Sequence, residues 1–369
     1  MKPRLRESLE ALLLMEEVSA HMPGHKYRSL HQTNWFKLDT TEIDGTDNLH
    51  MPSGILKDAM AYCAGVFGAQ RSHYLINGST VGLLAAIIGS TKNGDKIIMG
   101  RDCHKAVYSA LSLHQLSEIV IMPKVSCCGE MLGYDPQDII AALMENLHVK
   151  VVVLTSPTYF GYCTPVSEIV RVLNERNGLL IIDEAHGAHL SFRQDKEWCA
   201  LNQGAHIVIQ SAHKMLPALT QTGLIHFNHG LCLEVEKQVL SILSMLQSTS
   251  PSYLLMCSID DAIHWMVEFG LVNHQRLEAR IEQLKKRELK EWINPESKPH
   301  DLLKLWLSTE QKGLSGYEVN EWLIEHGIMP EMANPSGVLL YLSAMTTDAE
   351  LTLITEALSK LPSDRKSVV

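Results

Sequence analysis

Between residues 73 and 227 the chain alternates short β-rich apolar runs with stretches of helical periodicity. The runs are Tyr74-Leu75-Ile76, Lys96-Ile97-Ile98-Met99, Ile119-Val120-Ile121-Met122, Val151-Val152-Val153-Leu154, Leu179-Leu180-Ile181-Ile182, His206-Ile207-Val208-Ile209 and Gly223-Leu224-Ile225-His226-Phe227. Near-continuous apolar strands are buried on both faces, and parallel neighbours need helical crossovers between them. The alternation therefore predicts an α/β fold with a mostly parallel seven-stranded sheet covered by helices. Ligands of such sheets collect outside the C-terminal ends of the strands. Asn77-Gly78-Ser79, Asp183 and Lys214 all fall at such ends.

The rest of the chain reads as helix-rich. Residues 232–292 form a helical stretch broken at Thr249-Ser250-Pro251-Ser252, where Pro251 suits the first turn of the following helix. A long connecting helix then leads to a strand over 302–307, a helix over 315–326, a strand over 338–342 and a helix over 348–361, a smaller α+β unit. The expected organisation is an N-terminal segment 1–40, a large domain 41–270 and a small domain 271–369, whose last residues, 362–369, fray.

Composition narrows the function classes. A chain of 369 residues with 46% hydrophobic and 20% charged side chains can bury one large core and a second, smaller one. A net charge of -10 argues against nucleic acid as a partner, and Lys285-Lys286-Arg287 reads as a solvated helix face. The eight cysteines include no Cys-x-x-Cys pair and no zinc-ligand spacing, so they are expected to be reduced, with no metal bound. The charged start, leading into an amphipathic helix with Glu16 and Glu17, lacks a signal peptide's apolar centre, and no apolar run is long enough to span a bilayer. A cytoplasmic protein without a membrane partner is the expectation.

The chemistry concentrates in a few segments. Ser211-Ala212-His213-Lys214 puts one lysine just past a strand, and Asp183 ends the apolar run before it. A buried carboxylate needs a cationic partner. A lysine and an aspartate on neighbouring strand ends suit pyridoxal phosphate (PLP), the lysine holding its aldehyde and the aspartate its ring nitrogen. Alone, Lys214 would be a solvated surface lysine and Asp183 a salt-bridge partner. Asn77-Gly78-Ser79-Thr80-Val81-Gly82 opens a helix with free amides and two hydroxyls, a place for a phosphate or an ordinary helix cap at Ser79 or Thr80. Ser248-Thr249-Ser250 offers further hydroxyls, and His104 stands where an imidazole can stack on a ring. His186 and His189 form a minor metal alternative without the His-Glu-x-x-His spacing.

Together these segments resemble the Orn/Lys/Arg decarboxylase family, PLP enzymes of fold type I. Met22-Pro23-Gly24-His25-Lys26 and the segment from Asp39 through Leu49-His50 to Gly54 carry the resemblance at the N-terminal end. Phe67-Gly68-Ala69, Asn77-Gly78-Ser79-Thr80, His104-Lys105, Ser156-Pro157-Thr158-Tyr159, Asp183-Glu184-Ala185-His186-Gly187-Ala188-His189, Ser211-Ala212-His213-Lys214 and Leu246-Gln247-Ser248-Thr249-Ser250-Pro251-Ser252-Tyr253 continue it in order. The resemblance implies that Lys214 binds the cofactor covalently, Asp183 pairs with the pyridine nitrogen and His104 stacks on the ring. It implies that Gly78, Ser79, Thr80, Ser211 and His213 surround the phosphate, with Thr249 reaching it across a homodimer interface. His186 would lie near the substrate, and Glu331, in Gly327-Ile328-Met329-Pro330-Glu331, would meet its distal cationic group. Larger members carry a further C-terminal domain, so the chain reads as a short form.

The reaction depends on how the α-carboxylate is held. An aminotransferase commonly grips it with a small-domain arginine, yet Val338-Leu339-Leu340-Tyr341-Leu342-Ser343-Ala344 has none, and beyond residue 193 arginine occurs only at 276, 280, 287 and 365. Decarboxylation of lysine, ornithine or arginine is the expected activity, with Lys214 or His213 returning a proton to Cα. An aminotransferase, an acyl-condensing enzyme and a non-catalytic PLP-binding protein are the alternatives.

Overall fold

The computed structural model describes residues 18–20, 46–294 and 298–361. The amphipathic N-terminal helix, the Met22–Lys26 element, residues 39–45 and the tail 362–369 lie outside the described residues. A short strand, β1 (Val18–Ala20), precedes the main sheet. That sheet contains β2 (Arg71–Leu75), β3 (Lys96–Gly100), β4 (Ser117–Ile121), β5 (Val151–Thr155), β6 (Leu179–Asp183), β7 (Ile207–Gln210) and β8 (Gly223–Phe227). Its seven strands lie in the order β2-β8-β7-β6-β5-β3-β4. Only β8 runs against its neighbours, so the other six point their C-terminal ends to one edge.

The inner apolar runs are strands because both faces are covered, whereas the edge strand β4 is largely exposed, with Val120 and, just past its end, Met122 facing solvent. Successive side chains point to opposite faces: Ile98, Val152, Leu180, Ile182 and Val208 enter one core, while Ile97, Met99, Val153, Ile181 and Ile209 enter the other. Each such buried aliphatic side chain stabilises the fold by about 1.5–3 kcal/mol. The edge strand β2 starts three residues before the apolar run Tyr74-Leu75-Ile76. Its polar start, Arg71-Ser72-His73, hides the strand from hydropathy, yet Ser72 is buried with its hydroxyl 2.7 Å from His226 Nδ1.

Helices Leu233–Leu246 and Tyr253–Trp265 flank the break. Pro251 does not enter the second helix: Ser252 caps it, so the proline stands one residue before the cap. This helix continues through a π-turn, Met266–Gly270, into Leu271–Lys286, and so leaves the main sheet as one long rod. A second sheet follows, with β9 (Lys304–Ser308), β11 (Met332–Asn334) and β12 (Gly337–Tyr341) in the antiparallel order β11-β12-β9, while β10 (Ile328–Pro330) pairs with β1. β10 and β11 escape the sequence reading because each is only three residues long. Helices Gly316–Glu325 and Asp348–Ser359 start with complete capping boxes, Ser315 with Glu318 and Thr347 with Glu350. Among the described residues no helix is long and apolar enough to cross a membrane.

The two sheets meet at Gly161, whose φ of 86° is closed to most side chains. A Cβ there would lie 2.8 Å from the Asp301 carbonyl oxygen, and the Asp301 amide donates to the Gly161 carbonyl at 3.0 Å. This contact brings β9 and β12 against the C-terminal edge of the main sheet.

Candidate active site

Several neighbouring structures supply the candidate groups. β2 leads into the helix Gly78–Ser90, with Asn77 at the N-cap position but making no side-chain cap hydrogen bond, so Ser79 and Thr80 belong to its first turn rather than to the cap position. A helix start leaves its first amides without intrahelical carbonyls and carries a partial positive charge. Gly78, at φ 74°, turns its own amide to the Gln221 carbonyl at 2.8 Å, which ties the helix start to the chain entering β8. Ser211 Oγ donates to Ser79 Oγ at 2.8 Å, joining the end of β7 to the same place. Gly223 is the reason they can approach: a Cβ there would lie 2.9 Å from the Gln210 carbonyl oxygen and 3.1 Å from Ser79 N. Thr80 is exposed. The Thr249 loop lies alongside, because the buried Gln247 side chain accepts from the Ile76 amide at 2.8 Å, and Thr249 itself is exposed.

Asp183 ends β6 between Thr155 of β5 and Ile209 of β7, with 3% of its surface exposed. Burial pushes its carboxyl above the usual range, against the pull of the nearby Lys214 charge and the Ala185 amide, which donates to Oδ1 at 3.1 Å. Lys214 sits in the short helix Ala212–Met215 after β7. Burial lowers the pKa of its amine, while Asp183 and Glu331 act in the opposite sense. The sequence-predicted pair is thus close enough for each charge to act on the other.

The Lys214 amine lies 2.9 Å from His186 Nε2. His186 Nδ1 lies 3.2 Å from Tyr341 Oη, and Tyr341 Oη donates to the Tyr159 carbonyl at 2.7 Å. A tyrosine hydroxyl has one proton, already given to that carbonyl, so Nδ1–H must donate to Tyr341. His186 Nε2 is then the acceptor facing Lys214. Burial, followed by Lys214 and Lys304, holds the imidazole well below its ordinary pKa and so in this neutral form.

His213 turns Nδ1–H to the Thr222 carbonyl at 2.9 Å, and burial lowers its pKa. His104 caps the helix Lys105–His114, its Nδ1 accepting from the Ala106 amide at 3.2 Å, which leaves the proton of the neutral ring on Nε2. Burial and then the Lys214 charge lower its pKa. Glu331, just after β10, accepts from Tyr159 Oη, and its charge reaches both Lys214 and Lys304. Lys214, Asp183, His186, His104 and Glu331 therefore share one site, and Ser79 with Ser211 forms a hydroxyl pair at its edge. His186 and His189 face different partners, since His189 Nε2 lies 3.0 Å from Asp301 Oδ2.

Sequence reasoning assigned no role to Tyr159, Tyr341, Asp301 or Lys304. Lys304 is fully buried on β9 opposite Tyr341. Its amine lies 3.3 Å from Asp301 Oδ2, 2.7 Å from Met215 Sδ and 4.2 Å from the centre of the Tyr341 ring. Burial pushes the Asp301 carboxyl up, yet His189 and Lys304 hold it well below the usual carboxylate range. One signal was available: a lysine inside the apolar run Leu302–Leu307, preceded by an aspartate three residues earlier, needs a compensating charge.

These residues fit PLP. Ser79, Ser211 and the helix start are the groups that would hold a phosphate. A buried carboxylate in need of a cation suits a protonated ring nitrogen, and Lys214 supplies the amine.

The family model described as "Orn/Lys/Arg decarboxylase, major domain" matches residues 16–299. The uncharacterized protein YaaO of Bacillus subtilis is 34% identical over 95% of this chain and 76% of its own length. An arginine decarboxylase of Halalkalibacterium halodurans is 30% identical over 93% of this chain and 74% of its own length. The crystal structure of the lysine decarboxylase LdcF of Francisella novicida superimposes with a TM-score of 0.73 at 21% identity, covering 85% of this chain. This chain spans about half of that enzyme, 51% of its length. The seven-stranded sheet, the smaller α+β unit and these matches lead to one conclusion: the chain belongs to the Orn/Lys/Arg decarboxylase family and has the fold of the type I PLP-dependent enzymes.

Proposed function

We propose that this chain uses PLP to decarboxylate a basic amino acid, arginine, lysine or ornithine, to agmatine or the corresponding diamine. A fold hosts many reactions, so the proposal rests on the site. The observation that carries it is the aromatic wall on the far side of His186 from Lys214. β12 presents Tyr341 there, with no guanidinium, and the buried cation behind it, Lys304, is already compensated by Asp301. Among the described residues, a substrate carboxylate against this aromatic wall meets little to hold it in place, and loss of CO2 removes its charge from a poorly solvated place. The name of the Halalkalibacterium halodurans relative favours arginine within the class.

Bound PLP supplies an electron-withdrawing ring that stabilises negative charge at the substrate Cα. Asp183 would keep that ring's nitrogen protonated, and Ser79, Ser211, Thr80 and His213 would hold the phosphate. Lys214, whose amine burial makes easier to deprotonate, would first hold the cofactor and then give up its place to the substrate's α-amino group. The Cα–carboxylate bond breaks, CO2 leaves, and one proton is added to Cα, so that amino acid plus a proton becomes amine plus CO2. Lys214 or His213 would deliver that proton. His186, fixed as an acceptor through Tyr341, would orient the Lys214 amine. Glu331 would pair with the distal guanidinium or ammonium, and Thr249 would complete the phosphate site across a dimer interface.

The test incubates the PLP-loaded chain with arginine, lysine, ornithine and neutral controls while CO2, amine and keto acid are measured. Stoichiometric CO2 and amine from one basic amino acid, with at least a hundredfold preference over neutral ones, is the expected result. A keto acid without CO2 would make the chain an aminotransferase, and turnover of none would leave a PLP-binding protein.

A further inference from the structure

A second cluster of reactive side chains shares no residue with the Lys214 site. After β4 the chain folds back in a hairpin: Lys124 N donates to the Gly133 carbonyl at 2.8 Å, Ser126 N to the Glu130 carbonyl at 2.9 Å, and Val125 pairs with Met131. Its tip is Ser126-Cys127-Cys128-Gly129, closed by Gly129 N donating to the Ser126 carbonyl at 3.0 Å. Glu310 approaches this tip from just past β9, where Thr309 N is fixed to the Ser336 carbonyl at 2.9 Å. Cys127 Sγ and Cys128 Sγ are 3.7 Å apart, and Cys128 Sγ is 3.3 Å from Glu310 Oε2. The three donor atoms all lie within 4.8 Å of one another.

The Cys127–Cys128 and Cys128–Glu310 spacings match two edges of a coordination tetrahedron. Two thiolates at ~2.3 Å from zinc stand about 3.8 Å apart, and a thiolate and a carboxylate oxygen at ~2.0 Å stand about 3.5 Å apart. Two thiols and a carboxylate, three potentially negative groups, crowd together here. A divalent cation would relieve that crowding. Cys127 and Glu310 are exposed, which leaves an entry path and room for a water as fourth ligand. Cysteine spacing alone gave no such signal because the third donor is 182 residues away from Cys128.

We propose that Cys127, Cys128 and Glu310 bind one thiophilic divalent cation of the Zn2+ class. The cation displaces one proton from each thiol into solvent and takes the carboxylate without any change in oxidation state. The site joins the hairpin that follows β4 to the end of β9, the strand that carries Lys304 at the seam. It is therefore a clasp between the two sheets.

The reduced, PLP-loaded chain is dialysed against Zn2+ alone, and bound zinc, proton release and thermal unfolding are followed. One zinc per chain, about two protons released and a raised unfolding midpoint are expected. Cys127→Ser and Glu310→Gln should each weaken binding at least tenfold and remove the midpoint shift, whereas Cys232→Ser, which removes the other exposed cysteine, should change neither. Circular dichroism of each metal-free variant checks that it folds like the parent. Absence of a one-equivalent site in the parent, or parent-like binding by Cys127→Ser or Glu310→Gln, would overturn the proposal.

Discussion

At the scale of single residues, the site depends on buried charges being compensated. Lys304, Asp301 and His189 are 0–1% exposed and interlocked at the seam, directly behind Tyr341. Removing one member leaves a buried charge with half of its compensation, which costs far more than the pair contributes. Lys304→Met should destabilise the fold by about 3–5 kcal/mol in denaturant unfolding, and adding Asp301→Asn should recover most of that loss. A loss below ~1 kcal/mol for the single variant would mean that Asp301 finds another partner. Residue-scale legibility followed the same logic. Lys214 and Asp183 were readable because each interrupts or ends an apolar run at a strand end. Tyr341 was passed over because its partner His186 is 155 residues away in sequence, and a tyrosine in an apolar strand looks like ordinary core.

At the scale of elements, the segment before the helix Ile55–Phe67 is organised by one carboxylate. Asp47, 6% exposed, accepts from the amides of Asn48, Ser53, Gly54 and Leu56 at 2.7–3.1 Å, while Tyr253 Oη donates to its carbonyl at 2.8 Å. Burial acts to raise its pKa, but the amides of Ser53, Gly54, Asn48 and Lys57 hold the carboxyl down at about 2. The folded pKa lies below the unfolded value of about 3.9, so this stabilisation is complete above about pH 4 and is lost as pH falls toward 2. Asp47→Ala should cost about 1–3 kcal/mol at neutral pH by stranding those amides, and should flatten the acid limb of the stability curve between pH 4 and 2. An unchanged acid limb in the variant would show that other groups govern it. The sequence placed this segment by motif resemblance without giving Asp47 a role. Elements with long apolar runs were legible almost to the residue, as at Gly223–Phe227, whereas the polar start of β2 and the short β10 and β11 carry too little pattern to be read.

At the scale of the whole molecule, the catalytic candidates exist only where two sheets meet. The C-terminal edge of the main sheet provides Asp183 and Lys214, and the second sheet provides Tyr341 and Lys304, with Glu331 following β10. The order β2-β8-β7-β6-β5-β3-β4 puts β6 and β7 side by side, which brings residues 183 and 214 together from different parts of the sequence. Alternation of strands and helices made the main sheet legible, but not the seam, because contacts such as Gly161 with Asp301 join chain segments that share no periodicity. The proposed chemistry requires covalent attachment of PLP at Lys214 beside Asp183. Borohydride reduction of the PLP-loaded chain, followed by digestion and mass spectrometry, tests this most directly. The account predicts a single pyridoxyl phosphate label on the peptide containing Lys214, absent from Lys214→Ala; a label on another lysine, or none, would contradict it.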